Sequence, residues 1–110
     1  MTPYRIVLAE DHVLVRQGLK RILEAQPELR VIGEAGNGLE LRAVLKYQPA
    51  DLVILDVSMP VLGGIKVLPE IAMLQPHVKV LVLSMHADRA YVFGALSAVG
   101  GYIVAVVVDT

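Results

Sequence analysis

Four residues in this chain have the type and the placement to do chemistry. Glu10-Asp11, Asp56 and Ser84 each follow directly on a short apolar run: Ile6-Val7-Leu8-Ala9, Leu52-Val53-Ile54-Leu55 and Val80-Leu81-Val82-Leu83 respectively. Open parallel sheets bind ligands beyond the carboxyl ends of their strands, so residues that end such runs are the ones to read. If the first and third runs are neighbouring strands, three carboxylates converge on one rim. Two like charges ~4 Å apart cost about 4 kcal/mol at an effective dielectric near 20. A divalent cation relieves that cost, and hard oxygen donors around a partly hydrated ion describe Mg²⁺. A carboxylate beside such an ion is also a nucleophile toward a phosphoryl group. Phosphoryl transfer asks for positioning and charge neutralisation more than for covalent chemistry, so few residues suffice.

The elements that must position these residues alternate along the chain. Ile6–Ala9 is continuously apolar, as a strand buried on both faces should be. Val15, Leu19, Ile22 and Leu23 then recur with helical spacing until Pro27. Val31–Ala35 reads as a second strand, Gly36-Asn37-Gly38 as a turn, and Leu41, Val44 and Leu45 as a second helical stripe before Pro49. After the third strand, Ile65, Leu68 and Ile71 form another stripe ended by Pro76. Pro69 inside it predicts a late helix start or a kink, because an interior proline costs about 3 kcal/mol. The fourth strand is Val80–Leu83, and Asp88 can cap a helix bearing Val92, Ala95, Leu96 and Val99. Gly101-Tyr102-Ile103-Val104 begins a fifth strand. Such alternation predicts right-handed crossovers and a doubly wound, five-stranded parallel sheet in one domain spanning residues 1–110.

Composition narrows the class. Of 110 residues 55% are hydrophobic, and ten basic against eleven acidic side chains leave a net charge of −1. A packed domain is expected, without the basic stripe of a nucleic-acid surface. The absence of cysteine excludes disulfides, thiolate metal sites and thiol catalysis. No apolar run approaches the ~18 residues of a membrane span and no leader pattern opens the chain, so a cytoplasmic location is expected and no membrane partner.

Three blocks, Leu8-Ala9-Glu10-Asp11-His12, Leu55-Asp56-Val57-Ser58-Met59-Pro60-Val61-Leu62-Gly63-Gly64 and Val80-Leu81-Val82-Leu83-Ser84-Met85-His86, resemble the response regulator receiver domain in order and spacing. The likeness runs from Arg5 to about Tyr102. It is nearest the NarL/LuxR-type branch, whose members usually precede a helix-turn-helix DNA-binding domain. The resemblance implies the flavodoxin/CheY-like strand order 2-1-3-4-5. It also implies a regulatory rather than an enzymatic role, with self-catalysed phosphoryl transfer and autodephosphorylation at most. Asp56 would be the phosphoacceptor, Asp11 a direct Mg²⁺ ligand, Glu10 a ligand through water, and the Ser58 backbone carbonyl a further ligand. Ser84 would contact the phosphoryl group, and Tyr102 would be the aromatic that switches with it. The implied partners are a sensor histidine kinase as donor, a LuxR-type DNA-binding domain in a parent chain, and a second copy in a homodimer. The fragment itself would not bind DNA.

Two departures stand against that pattern. The family carries a lysine three residues past the switch aromatic; here that position is Ala105, and no lysine follows Lys79. Loss of one such fixed donor typically costs about 10²–10³ in rate. The loop at Ala98–Tyr102 is also one residue short. The family's final helix has no counterpart in Val104–Val108, so a C-terminally truncated receiver is expected. These departures motivate an alternative, a degenerate receiver acting as a phosphorylation-independent interaction or dimerisation module. An aspartate-nucleophile phosphatase of the haloacid dehalogenase type would need an acid two residues after the nucleophile, where Ser58 stands. A flavodoxin-like flavin carrier would bring its phosphate against an acidic rim. His12 and His86 flank the site and are read as making local hydrogen bonds, and Glu10 and Asp11 could instead cap the first helix.

Overall fold

The computed structural model describes residues 2–56, 59, 64–84 and 103–107, with residues 64–66, 84 and 103–107 described as backbone only. The first strand, β1, is Tyr4–Ala9, followed by helix α1 (Val13–Glu24), β2 (Leu29–Ala35), α2 (Gly38–Tyr47), β3 (Leu52–Asp56), α3 (Gly64–Leu74), β4 (Lys79–Ser84) and β5 (Ile103–Val107). The strands are all parallel and lie in the order β2-β1-β3-β4-β5. This is an α/β sheet of the flavodoxin/CheY-like kind. The helix expected over Asp88–Val99 lies outside the described residues.

Alternate residues of the strands divide the core in two. Val7, Ala9, Val53, Leu55, Val80 and Val82 meet Leu41 and Leu45 of α2 and Val67, Leu68 and Ile71 of α3. Ile6, Leu8, Val31 and Ile54 point the other way, toward Leu19 and Leu23 of α1. Strands β1 and β3 are therefore apolar at successive positions because both their faces are covered. At roughly 2 kcal/mol per fully buried aliphatic side chain, this burial is what holds the acidic rim in place.

Local sequence sets the element ends. Asn37 caps α2 through its side-chain oxygen, which accepts from Glu40 N at 2.8 Å. Glu40 Oε1 in turn accepts from Gly36 N at 3.3 Å and from the Asn37 amide at 3.2 Å, a variant of the reciprocal capping box. Neither Glu10 nor Asp11 caps α1; the N-cap residue is His12, and its side chain makes no capping bond.

Two expectations need correction. Val15 and Ile22 were expected on the buried stripe of α1 but are exposed, and no residue of α1 is fully buried. Leu19 and Leu23 define the contact with the sheet, and Val15 and Ile22 sit about 60–80° round the helix from its centre, at 100° per residue. Helix α3 begins at Gly64, not after Pro69, so the late start does not occur and Pro69 is interior. Pro69 is solvent-exposed, so its ring stays out of the core while Leu68 and Ile71 anchor the helix. Strand β5 is described over Ile103–Val107, and Gly101 and Tyr102, where the sequence began it, lie outside the described residues. The structure adds an irregularity in β2: Ile6 pairs with Val31 but Val7 pairs with Gly33, so Ile32 is a bulge.

Candidate functional site

The register brings the acids together. Ala9 pairs with Leu55 and is the last matched residue between β1 and β3, so Glu10 and Asp56 follow side by side at the carboxyl rim. Glu10 N extends the ladder on the other side by donating to Ala35 O at 2.9 Å. One ligand atom from each of Glu10, Asp11, His12 and Asp56 lies within 4.8 Å of the others. Asp56 and Glu10 are almost wholly buried, at 3% and 7% exposed.

Burial pushes the Glu10 carboxyl up from its ordinary range, and the neighbouring Asp56 adds to this, while hydrogen bonds from His12 pull it back. Those bonds are from His12 N at 3.0 Å and the imidazole Nδ1 at 2.8 Å, both to Glu10 Oε1. The same hydrogen bond, with the charges of Asp11 and Glu10, holds the His12 imidazole above its ordinary value. Nδ1 also approaches Asp11 Oδ1 to 3.2 Å, but not along a hydrogen-bonding direction. Among the described residues, that Asp11 oxygen is buried without a hydrogen-bond partner. A buried, unsatisfied carboxylate oxygen facing two further carboxylates is the donor set a hard divalent cation completes.

One contributor was not legible from residue type. Arg16, on the first turns of α1, donates to the Glu10 carbonyl at 2.7 Å and to Glu34 Oε1 at 3.1 Å. It fixes the backbone that carries the acids without facing the site. His12, read from the sequence as making a local hydrogen bond, does so with Glu10 itself. No motif flags Arg16; its position follows from one turn of helix after the rim.

The remaining expected site residues stand as follows. Ser84 ends β4, next to Leu83, which pairs with Asp56. Ser58 and Tyr102 lie outside the described residues. Ala105 pairs with Val82, whereas the residue level with Ser84 is Val107. Neither position carries a cation.

Comparisons with known proteins agree with this geometry. Residues 6–104 match the family model described as the response regulator receiver domain. The chain is 43% identical over 103 residues to the transcriptional regulatory protein DegU of Brevibacillus brevis, covering 90% of this chain and 42% of that protein. It is 35% identical over 101 residues to the DNA-binding transcriptional activator DevR/DosR of Mycobacterium tuberculosis, covering 91% and 46%. This chain thus spans less than half the length of either relative. The receiver domain of the regulator NarL from Mycobacterium tuberculosis superposes with a TM-score of 0.84 at 28% identity, covering 96% of this chain and 85% of that one. With the sheet, the acidic rim and the matched span all in agreement, this chain belongs to the response regulator receiver domain family of two-component systems, on the branch that includes the NarL/LuxR-type transcription regulators.

Proposed function

We propose that Asp56 accepts a phosphoryl group from a sensor histidine kinase, with Mg²⁺ held by Asp11, Asp56, the Ser58 carbonyl and, through water, Glu10. The observation that supports this most is the meeting of three carboxylates within 4.8 Å with one Asp11 oxygen unsatisfied. When bound, the cation neutralises charge on the transferring phosphoryl oxygens. An Asp56 oxygen attacks phosphorus, the bond from phosphorus to the donor nitrogen breaks, and histidine leaves. Burial between β1 and β4 keeps Asp56 in one orientation and limits water at the resulting acyl phosphate. Arg16 positions the Glu10 backbone. Ser84 contacts a phosphoryl oxygen, and Tyr102 responds by changing rotamer. The output is a shifted two-state surface equilibrium, read in a longer parent protein by a LuxR-type DNA-binding domain, by a second copy of the chain, or by both, in the cytoplasm.

The test is incubation with acetyl phosphate in Mg²⁺, where acetate is the leaving group, followed by intact-mass measurement. One added phosphoryl group in the wild type and none in Asp56→Asn is expected. A folded wild type that gains none overturns the reading.

One observation favours a second reading. No lysine stands at Ala105 or at Val107 beside Ser84. The fold would then serve as an interaction module whatever its phosphorylation state. Beryllofluoride with Mg²⁺ separates the two: amide shifts extending to Ser84 and Tyr102 support switching, and shifts confined to residues 10–12 and 56 support the module.

A further inference from the structure

The geometry points to His12 as an additional first-row metal ligand, making this site selective for Mn²⁺ and Co²⁺ relative to Mg²⁺. The inference rests on the proposed cation site and adds a fourth side chain to it. Glu10, Asp11 and His12 are consecutive, and the turn from β1 into α1 gathers all three on the Asp56 side. His12 Nδ1 lies 2.8 Å from Glu10 Oε1 and 3.2 Å from Asp11 Oδ1.

Those separations have a second meaning. Donors at ~2.1 Å from one ion are about 3.0 Å apart when they occupy adjacent octahedral positions, and about 4.2 Å apart when opposite. The 3.2 Å between His12 Nδ1 and Asp11 Oδ1 matches adjacent positions, with Glu10 held through water, and the full group of four lies within 4.8 Å. An ion can take the place between imidazole and carboxylates with little rearrangement. The His12 side chain is 68% exposed, so no packing opposes the adjustment, whereas the buried Asp56 and Glu10 are held by the sheet.

Metal chemistry gives the direction. Mg²⁺ takes oxygen donors and keeps its waters, so an imidazole adds little to its binding. Imidazole nitrogen strengthens binding of later first-row ions, increasingly from Mn²⁺ to Co²⁺. His12 thus acts in two ways. It donates a hydrogen bond to Glu10 when the cation is Mg²⁺, and it ligates through Nδ1 when the cation is a transition metal.

Pulsed EPR of bound Mn²⁺ reads the ligand directly. Nitrogen-14 modulation from a ligated imidazole is expected in the wild type, lost in His12→Ala, and retained in His77→Ala and His86→Ala. Competition titrations should show His12→Ala lowering the preference for Co²⁺ over Mg²⁺ by about tenfold or more, the low end of what even outer-shell losses cost. Mn²⁺ that binds and is lost in Asp11→Asn, but shows no imidazole nitrogen, overturns the role of His12 and leaves the acidic site standing. Mn²⁺ binding unaffected by Asp11→Asn and Asp56→Asn overturns both. His12→Gln, which keeps a hydrogen bond to Glu10, must also lose the nitrogen signal; if it retains the signal, the nitrogen is not His12.

Discussion

Asp56→Asn should make the metal-free protein more stable while weakening its response to Mg²⁺. Asp56 is 3% exposed and Glu10 7%, and their ligand atoms lie within 4.8 Å of each other and of Asp11. One like-charged pair at that distance costs about 3.5 kcal/mol at an effective dielectric near 20, and about 0.9 kcal/mol at 80. The ion pair of Glu10 with His12 reduces the wild-type penalty. Asparagine matches the shape of aspartate and can donate its amide to Glu10, so no cavity opposes the gain. The expected increase is about 1–3 kcal/mol in EDTA, or roughly 4–13 °C in Tm for a domain of this size. Saturating Mg²⁺ should close or reverse the gap, because an ion at 100 times its Kd adds about 2.7 kcal/mol to the wild type and much less to the variant. Urea denaturation in EDTA and in Mg²⁺, at constant ionic strength, measures all four stabilities. If Asp56→Asn is no more stable than wild type in EDTA, or gains as much from Mg²⁺, the acids do not meet as described.

Other consequences of the geometry are open to direct measurement. A Cβ at Gly33 would stand 2.7 Å from Val44 Cγ1, so Gly33→Ala should cost about 1–3 kcal/mol, and Val44→Ala in the same chain should recover part of it in a double-mutant cycle. Gln75 accepts from Ala50 N at 2.9 Å and donates to Leu45 O at 2.8 Å and Gln48 O at 2.7 Å; Gln75→Leu should lose about 2–3 kcal/mol by urea denaturation, with no change in Mg²⁺ affinity. Hydrogen bonds from the Arg5 side chain and backbone hold Asp51 below the ordinary aspartate range. The stability this contributes is complete above the unfolded-state value near 3.9 and is lost as pH falls through the lower folded-state value. Asp51→Asn should therefore flatten the acid limb of the stability–pH curve and meet the wild type only at its acid end.

Much of this was legible in the chain itself because the strands are covered on both faces. Continuous apolar runs such as Ile6–Ala9 and Leu52–Leu55 admit few other readings, and an acid directly after each can only lie at the carboxyl rim. What misled was partial cover. Periodicity cannot tell Leu19 and Leu23, which meet the sheet, from Val15 and Ile22, which do not, because all four fall within one apolar stripe. Pro69 carried a strong local penalty, yet Val67, Leu68 and Ile71 all bury their side chains, and that burial outweighs the loss of one backbone hydrogen bond. The bulge at Ile32 left no trace in residue type except the glycine that follows it. Gln75 gave no signal either, since its three partners are main-chain groups brought near by the packing of α3 beside α2.

Residue order alone determined that this is a parallel α/β domain with Glu10, Asp11, Asp56 and Ser84 at strand ends, because burial on two faces dictates apolar runs and crossovers dictate the alternation. Only the tertiary structure decided which of those ends are neighbours, that an Asp11 oxygen is left unsatisfied among the described residues, and that Arg16 belongs to the same rim. Those facts depend on strand register and helix placement. Both are set by contacts between residues far apart in the chain, which no local pattern records.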